Sequence, residues 1–433
     1  MPIARAAMGA DARRRARARL LAAPLLAVAL LAATLAPAAG AKSAKLAATP
    51  YMGWDTYFAF GARISESTVL EQASNLITSG LQKSGYRLIW IDVGWWQGKR
   101  ARDGQIEVNP TEWPHGMAWL ARTLHAEGFK VGLYTDAGIN GCGGINEGMY
   151  GHYQQDINTF AKWGFDAVKV DFCGGDNLHL TPSVAFGQIH KAIVHNASHR
   201  PMLLNICVFP LPGQVGHGFP SFADSAYESF SFGPSDGTSW RTDTDVGSPT
   251  GVSWNNVVRN FEADATEPRA AGPGHWNDPD YLGPDLGMTA AQFQAQFSMW
   301  AMLAAPLMVS VNLSTLSPPS LATLTNPAII AIDQDRRGIQ GVQVAPAAVT
   351  SAPASANGEA WIKPLEHGEY AVALLNLSSS TLTISTSAQA AGIRAASSYS
   401  LANVWAGGTS TTSGAITASV PSDSTVVFIV TPH

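Results

Sequence analysis

From Tyr51 to about Gly338 the chain alternates apolar runs of strand length with segments of helical spacing. Few architectures accept that pattern. The strand-like runs are Tyr51–Trp54, Tyr86–Asp92, Lys130–Asp136, Asp166–Asp171, Met202–Val208, Trp240–Val246, His275–Leu282 and Leu307–Leu313. Between them, apolar residues recur at three- and four-residue intervals, as in Val69, Ala73, Leu76 and Ile77. About eight such repeats in roughly 290 residues fit a (β/α)8 barrel, the TIM-barrel fold. An open doubly wound sheet is the alternative. It usually carries a Gly-rich phosphate fingerprint after an early strand, and this chain has none.

The run Val168-Lys-Val-Asp-Phe-Cys-Gly-Gly175 shows what such a barrel would present. A buried strand delivers Asp171 at its carboxyl end, where a Gly-rich loop opens, and barrel active sites are built at that end. Other strand ends collect polar and aromatic residues that packing does not require. They are Trp54 and Asp55, Asp92, Tyr134 and Asp136, Lys169, then Trp240, Arg241 and Asp245, and finally Trp276, Asn277, Asp278 and Asp280. Carboxylates and cations suit sugar hydroxyls, and aromatic faces suit the apolar side of a sugar ring. Hydrolysis of a glycosidic bond needs two carboxyl groups across the anomeric carbon. Asp171 is one candidate. The sixth strand offers Asp243 and Asp245 for the other, and alternation puts both on one face, so periodicity does not choose between them.

The first 41 residues read as a secretory leader: basic from Arg13 to Arg19, apolar from Leu20 to Leu35, then Ala39-Gly40-Ala41 as a cleavage site. Its removal takes away six arginines and Asp11, leaving 21 basic and 31 acidic side chains. That surface repels nucleic acid and anionic membranes, so a neutral oligosaccharide or glycoside is the expected partner. The expected destination is extracellular. Residues 42–340 form the expected catalytic barrel. Beyond Gln340 the chain turns rich in Thr, Ser, Val and Ala, with short alternating runs, and residues 341–433 read as a small antiparallel β-sandwich. Residues 351–355 form an expected exposed loop near the boundary. Of three cysteines, Cys142 and Cys173 lie just past strand ends where neighbouring loops meet, and a disulfide is expected there. The eleven histidines show no metal-ligand spacing, so neither metal nor cofactor is expected.

The motifs Tyr51-Met-Gly-Trp54, Ile91-Asp92, Gly132-Leu-Tyr134-Thr-Asp136-Ala-Gly138, Lys169-Val-Asp171-x-Cys173, Trp240-Arg241 and Gly272-Pro-Gly-x-Trp276-Asn-Asp-Pro-Asp280 together resemble glycoside hydrolase family 27, the α-galactosidase (melibiase) family. Trp300 to Leu307 and Ile332 to Gly338 extend the resemblance over the whole barrel. It implies a retaining mechanism, with Asp171 as nucleophile and Asp245, four residues after Arg241, as acid and base. It implies that Lys169, Arg241 and Asp92 hold sugar hydroxyls and that Cys142 pairs with Cys173. Cys207 is then left as a free, buried thiol, since its usual partner position is Gly237. Trp54, Tyr57, Tyr134 and Asp280 complete the expected substrate-binding set, Asp280 and Asp136 reading equally well as groups that orient others. Leu211 matches the bulky residue of galactosidases.

The chain departs from the family at three sugar-facing positions: Val93 and Val208 stand where acids are usual, and Tyr57 where a tryptophan is. The expected activity is that of an α-galactosidase. The alternatives are the same chemistry on α-glucan ends or β-L-arabinopyranosides, a non-catalytic sugar-binding protein, or a lyase using Lys169 as a Schiff-base amine. Asp55 reads as a solvated loop acid. Trp95, Trp96 and Trp113 read equally well as a sugar-stacking rim or a satellite apolar cluster.

Overall fold

The structure, a computed structural model, describes residues 46–96, 98–144, 148–208, 229–344, 348–350 and 357–433. The leader-like residues 1–41, Leu211 and the loop 351–355 lie outside them. Eight parallel strands run in chain order: β1 (Met52–Asp55), β2 (Leu88–Ile91), β3 (Lys130–Asp136), β4 (Ala167–Asp171), β5 (Leu203–Ile206), β6 (Ser239–Arg241), β7 (Trp276–Asp278) and β8 (Leu307–Val309). From β1 to β7 each pairs with the next, and β1 also pairs with β8. Leu282, just past β7, closes the ring: its amide donates to Met308 O and its carbonyl accepts from Ser310 N. The strands are short and buried on both faces, as a parallel sheet wrapped in helices requires.

Strands β5 to β8 are shorter than their apolar runs suggested. The clearest case is β6, which ends at Arg241 rather than Val246. Thr242 N still reaches Asp278 O, but Asn260 then takes the carbonyl of Thr244 and bends the chain away. Strand alternation therefore does not govern Asp243 and Asp245, and the expectation that they share a face fails.

Two glycines let the loops after β3 and β4 press together. A Cβ on Gly138 would sit 2.0 Å from the carbonyl carbon of Gly174. That close approach brings Cys142 and Cys173 within disulfide reach, and they are bonded.

The helix Ala290–Leu303 starts at a reciprocal cap between Thr289 and Gln292. From Ala295 onward every side chain on it is buried, as expected of a helix covered on both sides. One side lies on the barrel. The other meets a six-stranded antiparallel sheet built from Val342–Gln343, Gly358–Pro364, Tyr370–Asn376, Tyr399–Asn403, Thr409–Thr412 and Ser424–Pro432. Alternation divides this sheet's side chains between two cores. Ala371, Ala373 and Leu375 join the barrel core, where Trp361 stacks edge-on to Phe261. Val372 and Leu374 join Leu382, Ile384 and Ile416 of a three-stranded sheet behind. Among the described residues no helix is long and apolar enough to cross a membrane.

Candidate active site

The inward residues at the carboxyl ends of the strands converge on two buried cations. Lys169 projects from β4 with its ammonium 2.8 Å from Asp92 Oδ2 and 3.7 Å from Asp171 Oδ1. The rings of Tyr281, Tyr134 and Tyr57 surround it at 5.1, 5.5 and 5.9 Å from their centroids. An ammonium among π-faces and carboxylates is held charged: burial works to lower its pKa, but Asp171 and Asp92 hold it well above the usual lysine value. Arg241, at the end of β6, is 1% exposed. Its guanidinium reaches Asp245 Oδ1 at 2.8 Å and Asp280 Oδ1 at 3.0 Å, and donates to Cys207 Sγ at 3.9 Å.

Asp171 ends β4 and is buried. Its Oδ2 lies 3.3 Å from Cys142 Sγ of the disulfide, and the Cys207 thiol bonds to the same carboxylate. Its Oδ1 is buried with no hydrogen-bond partner, facing Lys169. Burial pushes the carboxyl up to about 6. Lys169 and the Cys207 thiol pull it down, while the charges of Asp92 and Asp245 add to the rise. Asp245 differs from this buried set. Its side chain is 37% exposed, so it touches solvent while Arg241 holds one oxygen. Asp243, the alternative acid, turns to Arg259 at 3.3 Å and caps Thr244 N. It supports the loop rather than facing the cavity.

Asp92 is fixed from three sides, its Oδ1 accepting from Val93 N and its Oδ2 from Lys169 and Tyr281. Tyr134 accepts a hydrogen bond from Cys142 N and so ties the disulfide loop to β3. Asp136 accepts from Gly138 N and Gly174 N, orienting both loops. Asp280 accepts from Val246 N, fastening the end of the Asp245 loop, and burial pushes its own carboxyl up to about 7. Trp54 is not brought to this cluster. It lies on the opposite face of β1 from Asp55, donating its indole N–H to Val311 O and meeting Phe60 edge-on. Trp95, Trp96 and Trp113 are buried, and Trp95 stacks with Phe160 and Trp163, so they form an apolar cluster rather than a rim.

Three participants escaped the sequence reading. Cys207 is buried and free as expected, but it sits between Asp171 and Arg241. Asp55 is wholly buried rather than solvated, because Ser310 and the backbone of Tyr57 donate to its Oδ1. Tyr281 follows Asp280, whose φ of 86° breaks strand alternation and turns two successive side chains inward. The sequence offered only the residue type: aspartate, at the end of the Asn-Asp-Pro-Asp motif, adopts left-handed backbone more readily than most side chains.

Both lobes of the chain match known proteins. Residues 54–335 match the family described as Alpha galactosidase A, and residues 355–430 match the Alpha galactosidase C-terminal beta sandwich domain. The chain is 36% identical to Alpha-galactosidase A of Cellvibrio japonicus over 78% of each chain. It is 32% identical to the alpha-galactosidase of Cyamopsis tetragonoloba over 90% of this chain and 87% of that one. The solved structure of the Saccharomyces cerevisiae α-galactosidase with raffinose shares the fold, with a TM-score of 0.78 at 23% identity, covering 90% of this chain and 99% of that one.

Proposed function

The chain belongs to the α-galactosidase family of glycoside hydrolases, family 27, and from that premise we propose that it removes terminal α-linked galactose by double displacement, with Asp171 as nucleophile and Asp245 as acid and base. The observation that carries the reading is the contrast between the two acids. Asp171 offers a buried, unpartnered oxygen beside a fixed ammonium, while Asp245 keeps contact with water. Asp171 Oδ1 attacks the anomeric carbon as the bond to the aglycone oxygen breaks, and that oxygen takes the proton of Asp245. Asp245 then takes a proton from water, whose oxygen attacks the same carbon and frees Asp171. Lys169, Asp92 and Arg241 hold sugar hydroxyls by charge-assisted hydrogen bonds. The Cys142–Cys173 disulfide and the leader-like first 41 residues support an exported enzyme. A Schiff-base role for Lys169 is disfavoured, because an ammonium so strongly paired has no lone pair to attack a carbonyl.

The test is turnover of 4-nitrophenyl α-galactoside. Asp171→Asn should lose on the order of a thousandfold or more in kcat. Asp245→Ala should retain turnover of this good leaving group and gain rate with azide. Proton NMR should show the α-anomer of galactose released first. Release of the β-anomer first, or no response to azide, overturns the assignment of roles. Faster turnover of an aryl β-L-arabinopyranoside or α-glucoside would move the enzyme to another terminal sugar.

A further inference from the structure

We propose that Tyr281 is a specificity-determining positioning residue: it holds Asp92 in the geometry that grips a sugar hydroxyl, making up for the apolar side chain at Val93. The proposal rests on the glycosidase reading above and concerns how the same pocket tells one sugar from another.

Asp92 and the nucleophile share Lys169, whose ammonium lies 2.8 Å from one and 3.7 Å from the other, so Asp92 belongs to the same sugar pocket. Val93 offers it only a backbone N–H. The missing polar side chain is replaced from across the barrel. The left-handed turn at Asp280 swings Tyr281 inward, edge-on to Phe58 at 5.5 Å and over both Lys169 and Arg241. Its hydroxyl donates to Asp92 Oδ2 at 3.2 Å.

A phenol has one proton to give, and a second acid stands behind it. Asp55 is fully buried, its Oδ1 is taken by Tyr57 N and Ser310, and its Oδ2 has no hydrogen-bond partner. Burial first and the charge of Asp92 second raise the Asp55 carboxyl well above the usual range, with Lys169 opposing. The Tyr281 hydroxyl favours the charged form of Asp55, but the hydrogen bond it makes is the one to Asp92. Asp92 Oδ2 is thereby held between the Lys169 ammonium and the Tyr281 hydroxyl. Neither Asp55 nor Tyr281 takes part in bond making or breaking.

The experiment compares 4-nitrophenyl α-galactoside with its 4-deoxy and 6-deoxy analogues in wild type and Tyr281→Phe. Loss of one hydrogen bond to a charged acceptor should raise KM for the galactoside about tenfold with kcat nearly unchanged. The wild type's preference for the galactoside over at least one analogue should shrink by the same factor. Unchanged KM in Tyr281→Phe, or an equal loss on all three substrates, overturns the proposal alone. A wild type with no turnover of the galactoside overturns the functional reading and this proposal with it.

Discussion

At the residue scale, burial sets the working range of Asp171. The carboxyl attacks only when ionised, and burial places its titration at about 6. Activity should therefore climb as pH rises toward that value, and the acid limb of a kcat/KM profile should report it. The Cys207 thiol favours the ionised form, so Cys207→Ala should move that limb to higher pH, while Cys207→Ser, which keeps a donor, should move it less. An acid limb unaffected by either change would show that the thiol merely fills space. Asp171 and Lys169 stood out in the sequence at the end of an apolar run, and Arg241 beside a run of the same kind, whereas Asp245 was separated from Asp243 only by the family resemblance. Asp55 and Tyr281 were not legible there, for physical reasons. What surrounds Asp55 comes from Ser310 and Tyr281, more than two hundred residues away, and no local pattern carries that. Tyr281 was hidden by one backbone angle.

At the scale of the element, the loop after β6 decides where the acid and base stands. Sequence alternation treated this segment as strand. The structure instead pins it with side chains from the helix Trp254–Asp264: Arg259 reaches Asp243, the Thr244 hydroxyl and the Asp245 carbonyl, and Asn260 takes the Thr244 carbonyl. Arg259→Ala should loosen that anchorage without touching substrate. Its kcat should fall about tenfold on substrates with poor leaving groups, which need the proton, and little on aryl glycosides with good ones. Equal losses on both classes would mean that the helix only stabilises the fold. The existence of every barrel strand was readable from apolar runs. The ends of strands were not, because a run of apolar residues persists after the ladder hydrogen bonds have stopped.

At the scale of the whole molecule, a buried acid from one lobe and a buried amine from the other act on each other's titration, and burial brings both to about 8. Asp333 comes from the barrel side and Lys363 from the sheet, and both are fully buried. Lys363 donates to Ala301 O, while Asp333 accepts from Gln334 and keeps one oxygen unpartnered. Burial raises Asp333 to about 8, with Lys363 opposing. A carboxyl raised in the folded state lends stability that is complete below its unfolded value of about 4 and fades as pH climbs through the folded one. The wild type should thus lose melting temperature between about pH 4 and 8. Asp333→Asn should flatten that decline, which thermal scans across the interval would measure. The change of composition near Gln340 revealed the second lobe. It said nothing of how intimately the lobes interlock, since Trp361, Ala371 and Leu375 look like ordinary strand residues until the barrel is seen beside them.

The helix Ala290–Leu303 belongs to both lobes at once. Cutting the gene at residue 340 would strip one flank of that helix bare and strand the Ala301 carbonyl without its lysine. The catalytic half is therefore no portable cassette: parted from its companion, it would present that apolar flank to water.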